Sequence, residues 1–153
     1  MIPTAMCGRA ASSAAQPSQH GPALQLIPTE HVDRVWPLVE GLLIEAADRS
    51  RGSMTIEGIT DRLTKGDWQL WVVWDGSVVA VAATEVYHSL AGDKFCAICL
   101  VNGGLRWMHL LEDLERWARE VMGCKRMQMF AAKRWAKRLP EYKMRHVMLE
   151  KDL

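Results

Sequence analysis

Lys94 to Phe130 reads KFCAICLVNGGLRWMHLLEDLERWAREVMGCKRMQMF. Its first part, Lys94 to Val101, is an almost unbroken apolar run of the length of a strand buried on both faces. Asn102-Gly103-Gly104 ends that run, because consecutive glycines favour turns and offer no side chain to pack. Trp107, Leu110, Leu111, Leu114, Trp117, Ala118 and Val121 then recur at three- and four-residue steps, the stripe of one helix face. Glu112 with Arg116 and Glu115 with Arg119 are spaced to pair on the exposed side of that helix. Gly123 closes the helix, and Arg126 to Phe130 gives a second strand after a very short connection. A strand, a crossover helix and a strand joined this tightly place the two strands parallel.

The remaining elements follow by the same periodicities. Leu24 to Ile27 is a short strand ended by Pro28, and Thr29 is placed to cap a helix whose apolar face runs through Val32, Val35, Trp36, Val39, Leu42, Leu43 and Ala46. Pro37 is expected to bend that helix or delay its start. Arg51-Gly52-Ser53 interrupts, and a shorter helix runs from Thr55 to Lys65 over Ile56, Ile59 and Leu63. Trp68 to Trp74 and Ser77 to His88 are strands joined by Asp75-Gly76, a hairpin dipeptide that tolerates positive φ. With Lys94 to Val101 they make a three-stranded antiparallel meander. Beyond Phe130, Lys133 to Leu139 reads as a short helix stopped by Pro140, and Met144 to Leu149 as a terminal strand. The fold class is therefore mixed α/β.

Composition narrows the function. A chain of 153 residues, 49% hydrophobic and 24% charged, is long enough for one buried core and is neither collagenous nor wholly disordered. The formal net charge of +1 gives no global case for a nucleic acid or an anionic membrane. No apolar run approaches the roughly 20 residues of a membrane span. Residues 1–22, with Arg9 as the one charge and little that is large and apolar, are expected to be a disordered tail, leaving one domain over 23–153. The tail lacks the apolar centre of a secretory signal and the several arginines of a transit peptide. A cytoplasmic location is expected.

Cys96-Ala97-Ile98-Cys99 has the spacing of a metal knuckle or a redox pair. Within a buried strand, residues three apart face opposite ways, and no second such motif follows, so reduced structural thiols and no metal site are expected. The seven tryptophans fall mostly on buried stripes. The run Lys133, Arg134, Lys137, Arg138, Lys143 and Arg145, opposed by Glu141, is either a phosphate- or acid-binding patch or a solvated helix face.

The order strand, two helices, three-stranded meander, helix, strand, short helix and terminal strand, over Leu24 to Leu153, resembles the GNAT superfamily of acyl-CoA N-acyltransferases. Gly123-Cys124-Lys125-Arg126-Met127, Arg134-Trp135-Ala136-Lys137-Arg138-Leu139 and Val147-Met148-Leu149-Glu150-Lys151 are similar to the end of many members. Thr84-Glu85-Val86 and Asn102-Gly103-Gly104 resemble the small GNAT-like proteins of tailed bacteriophages, which would extend the expected location to the host cytoplasm or the virion.

The resemblance implies a twisted mixed sheet flanked by helices, with acetyl-CoA or another acyl-CoA lying where the fourth strand splays from the fifth. It places Leu100, Val101, Asn102, Gly103, Gly104 and Arg106 at the cofactor, the last of these leading into a helix N-terminus that can meet phosphates. The family pattern of Arg or Gln, two residues, Gly, one residue, then Gly or Ala is absent here. For the base that deprotonates an amine substrate, Glu85 is the first candidate, because burial in an apolar strand raises a carboxyl pKa, and His88 is the second. A surface carboxylate at the sheet edge is the plainer alternative for Glu85. The family's acid, a tyrosine in the short last helix, is replaced by Trp135 and Leu139, and Tyr142 beyond Pro140 matches a core position better. Two readings stay open: an N-acyltransferase with acyl-CoA and an amine as partners, and a non-catalytic GNAT-like phage protein with a protein partner.

Overall fold

The computed structural model describes residues 21–104 and 107–153, so the expected tail falls outside the described residues apart from its last two. Five strands form one sheet in the order β1 (Ala23–Ile27), β2 (Gln69–Trp74), β3 (Val78–His88), β4 (Lys94–Asn102) and β5 (Arg126–Met129). The first three junctions are antiparallel, and β4 pairs with β5 in parallel, as a crossover helix demands.

Helices α1 (Val32–Arg49) and α2 (Ile56–Thr64) cover one face of the sheet. Val39, Leu43, Ile59 and Leu63 pack there on Leu70, Val72, Val81, Ala83 and Leu100. Helix α3 (Leu111–Glu120) covers the other face, with Leu111, Leu114 and Ala118 on Trp71, Val73, Ala80, Ala82, Cys96 and Ile98. The sheet is thus the middle layer, and β2, β3 and β4 read as continuous apolar runs because both of their faces are buried.

Local details differ from the sequence expectations in places. Thr29 does not cap α1: Thr29–His31 forms a 3-10 turn closed by His31 N–H on the Pro28 carbonyl, and α1 begins at Val32 with Pro37 inside it. At α2, Thr55 is the cap rather than the first helical residue, its Oγ1 accepting from Gly58 N–H at 3.1 Å. Trp107 to Leu110 is not α-helical; a 3-10 turn, Met108–Leu110, leads into α3, and Val121 is exposed beyond its end. Arg116 pairs with Asp113 at 3.1 Å and Arg119 approaches Glu120 at 3.7 Å, so the anticipated Glu112 and Glu115 pairs are not made. The short last helix is only α4 (Trp135–Arg138). Met144 to Leu149 is not a strand and is exposed throughout: it pairs with none of the five strands, and strand propensity alone does not hold a segment extended. No described helix is long and apolar enough to cross a membrane.

Buried thiols reinforce the core. Cys96 lies beneath α3 near Cys124, whereas Cys99 sits beside Glu85 on the α2 side, so the pair does not converge on a common ligand. Among the described residues no group of three or more His, Cys, Asp or Glu side chains is gathered as for a metal ion. Burial pushes the Cys96 and Cys99 thiols up to about 12 from 9.0. Because the folded state keeps both protonated, their contribution is complete below pH 9 and is lost as the pH climbs toward 12. The melting temperature is expected to fall over that window, less steeply in Cys96→Ala, as thermal unfolding at stepped pH would measure.

Candidate functional site

The geometry of the site begins with one extra residue in β4. Ala83 pairs with Leu100, but its neighbour Thr84 pairs with Ile98, so Cys99 is bulged out of the β3–β4 ladder. A bulge bends its strand and increases the local twist. On the other side of β4, pairing with β5 stops at Ile98 and Met129. From Cys99 to Asn102, β4 therefore carries a strand edge that β5, which ends at Met129, does not cover. The splay expected between the fourth and fifth strands would begin here, at the point where β5 ends.

Asn102 closes the strand and is 5% exposed. Its Nδ2 donates to the Leu42 carbonyl at 2.7 Å and to Glu45 Oε2 at 3.0 Å, and its Oδ1 accepts from Arg49 Nη2 at 2.7 Å. Three groups from the last turns of α1 thus fix the end of β4. A loop position from sequence, Asn102 is a buried polar anchor whose satisfied bonds replace the solvation it has lost.

The two glycines that follow are not equivalent. Gly103 has φ +127°, and a Cβ on it would lie 2.3 Å from the Ala80 Cβ and 2.7 Å from the Val79 carbonyl oxygen. It is glycine because the turn packs on β3. Gly104, at φ +67°, has open space where a Cβ would stand. Leu100 is buried under α1 and α2, and Val101 lies on the α3 side. Arg106 lies outside the described residues. The first turn of α3 carries Glu112 and Asp113, which already oppose the positive end of its dipole.

Trp107, 8% exposed, reaches from this turn to Trp135 of α4, the ring centroids 5.6 Å apart and the planes tilted by 39°. The two indoles join the segment after β4 to the segment after β5. The space left beside Ile98, Val101, Trp107 and Leu110 is about 10 Å³, no more than one water needs.

On the α2 side, Glu85 is half-buried and pairs with Ala97, which in turn pairs with Gln128 of β5. The next row on that face is Tyr87, Phe95 and Arg126; the Tyr87 hydroxyl donates to Gln128 Oε1, and the Arg126 guanidinium lies 5.3 Å from the Phe95 ring centre. Glu85 and Cys99 are close enough for the carboxylate to help hold the thiol protonated. His88 is exposed at the strand end and, three residues from Glu85, points from the opposite face, so the sheet does not bring the two together. Sequence reasoning overlooked Tyr87, Phe95, Gln128 and Arg126; only the pairing of β3, β4 and β5 makes them one patch.

Tyr142 takes the core position expected of it. Its hydroxyl donates to Glu115 Oε1 at 2.6 Å, and burial followed by that carboxylate drives its pKa far above 10.0. The phenol proton is committed to Glu115. An open groove of about 920 Å³ wraps around β5, lined by Tyr87, Gln128, Phe130, Trp135 and the basic residues Lys133 and Arg145.

No family model and no curated protein matches the sequence. Solved structures do match the fold. An aminoglycoside acetyltransferase from an uncultured soil metagenomic sample, in complex with sisomicin, superposes with a TM-score of 0.61 at 13% identity over 86% of this chain and 96% of that one. Glucosamine-6-phosphate N-acetyltransferase from Arabidopsis thaliana gives 0.56 at 14% identity over 87% and 99%. Ribosomal-protein-alanine N-acetyltransferase from Brucella melitensis biovar Abortus 2308 gives 0.56 at 12% identity over 86% and 100%. The shared feature at such low identity is architecture, and the five-stranded mixed sheet between α1, α2 and α3 is the GNAT fold.

Proposed function

We propose that the chain binds acyl-CoA along the uncovered edge of β4 and transfers the acyl group to an amine held on the Glu85 face. The observation that carries this reading is the end of β4–β5 pairing at Ile98 and Met129, which leaves the edge of Cys99 to Asn102 unpaired by β5. Such an edge is satisfied by an extended ligand that carries its own amides, as the pantetheine arm of CoA does. Gly104, with open space beside it, is where a phosphate would come close to the backbone. Acyl-CoA would supply an activated thioester carbonyl. Glu85 would accept the proton of the attacking amine, with Gln128 and Tyr87 beside it on the same face to orient the acceptor.

The fit is incomplete at the acyl end, where Trp107 and Trp135 touch. Acyl-CoA fits only once Trp135 has swung away. Trp135 is the less buried of the two, half-buried on a helix of four residues. The same contact favours a second reading, a non-catalytic protein that keeps the scaffold and serves as a phage virion component or host-interaction factor.

Isothermal titration of acetyl-CoA and free CoA separates the two. The transferase reading expects saturable binding, tightened about tenfold in Trp135→Ala, because displacing that indole costs roughly 1–2 kcal/mol. Absence of heat and of any thermal shift in both proteins would discard the transferase and leave the scaffold reading.

A further inference from the structure

Met144, Val147, Met148, Leu149 and Leu153 leave 51%, 72%, 79%, 93% and 116% of their surface open. A row of large apolar side chains this exposed marks an interaction surface. Residues Lys143 to Leu153 have no regular secondary structure. Their alternation puts Met144 and Met148 on one side of an extended chain and Val147 and Leu149 on the other, which suits a strand covered on both faces.

The arm is anchored at its root. Tyr142 N–H donates to the Leu139 carbonyl at 2.9 Å, and its hydroxyl is tied to Glu115. Met144, Arg145 and His146 still line the groove around β5, whereas Val147 and the residues after it have left it. The arm therefore starts beside the β5 edge and runs away from it. That edge is the matching vacancy: among the described residues β5 pairs with β4 on one side and with nothing on the other, and Phe130 at its end is 74% exposed. One chain thus presents a strand-forming apolar arm and an open apolar strand edge that it does not itself join.

We propose that two copies exchange arms, Met144 to Leu149 of each adding antiparallel to β5 of the other. Direction follows from charge. Antiparallel addition sets Glu150 and Asp152 near Arg126 and brings Arg145 toward Phe130, whereas parallel addition would set Lys143 and Arg145 against Arg126. Reciprocal exchange closes with two-fold symmetry, so assembly stops at two copies and the β5 edge of each is covered.

Sedimentation equilibrium on the full chain, on a chain ending at Lys143 and on the double variant Val147→Asp, Leu149→Asp tests this. The full chain is expected to sediment with the mass of two chains. The shortened and doubly substituted chains are expected to show half that mass with unchanged far-ultraviolet circular dichroism, and faster hydrogen exchange at Arg126 to Phe130. The arm contributes nothing to the described core, so the shortened chain keeps its fold. A full chain of single mass at every concentration, or a shortened chain that still pairs, would overturn the exchange.

Discussion

Gly103→Ala is expected to destabilise the protein by roughly 3–5 kcal/mol, the sum of forcing a methyl into packed atoms and of holding a side chain at unfavourable φ. The added Cβ would meet the Ala80 Cβ at 2.3 Å and the Ala80 Cα at 2.5 Å, so backbone would have to move. Domain stability is typically about 5–15 kcal/mol, so a loss of this size consumes a large part of it. Gly104→Ala, next in the chain, meets no neighbour and is expected to cost about 1 kcal/mol, the strain of the left-handed conformation alone. Chemical denaturation of the two variants side by side measures the contrast. Equal midpoints would show that the turn does not pack on β3. The contrast also assigns roles, since Gly103 serves the fold while Gly104 is free to serve a ligand. Loss of CoA binding in Gly104→Ala without loss of stability is the signature of the second role.

Asn102→Asp is the other substitution of large expected effect. The side chain keeps its shape, but the Nδ2 donor that satisfies the Leu42 carbonyl and Glu45 is replaced by a third acceptor, and only the bond from Arg49 survives. Loss of hydrogen bonds to a buried carbonyl and a carboxylate is worth about 2–4 kcal/mol. The new carboxylate stands against the Glu45 carboxylate and the Leu42 carbonyl, and the Arg49 guanidinium offsets part of that repulsion. The destabilisation is expected to be full while the new side chain is ionised and to ease when acid protonates it, because a protonated carboxyl can donate again. Urea unfolding at neutral and acid pH checks this, and a pH-independent loss would mean that the missing amide donor, not the added charge, accounts for the effect. Because Asn102 precedes the two glycines, the variant also tests whether the α1 latch sets the direction of the turn. A change in CoA affinity with preserved circular dichroism would show that it does.

The transferase and scaffold readings rest on different atoms and fail separately. The first depends on the backbone of Cys99 to Asn102, which no side-chain substitution removes, and the second on the contact of Trp107 with Trp135. Arm exchange depends on neither, since β5's outer edge is on the far side of that strand from the β4 cleft.

Much of the architecture was legible because it is written in local periodicity. The stripe through Leu111, Leu114 and Ala118 requires one face of a helix, Asp75-Gly76 requires a hairpin, and the doubly apolar strands require cover on both sides, so a helix-covered mixed sheet follows from the chain alone. Tertiary structure decided the site. The Cys99 bulge has no local signature, since it exists only as a mismatch of register between β3 and β4. Asn102 reads as a turn residue until α1, 53 to 60 positions away, supplies its partners. Gly103 and Gly104 are the same residue type and are told apart by their backbone angles and by Ala80 lying under the first of them. Met144 to Leu149 shows the converse: its strand propensity is real, but a strand is a property of a pair of edges, and the sequence of one chain does not say where the second edge lies.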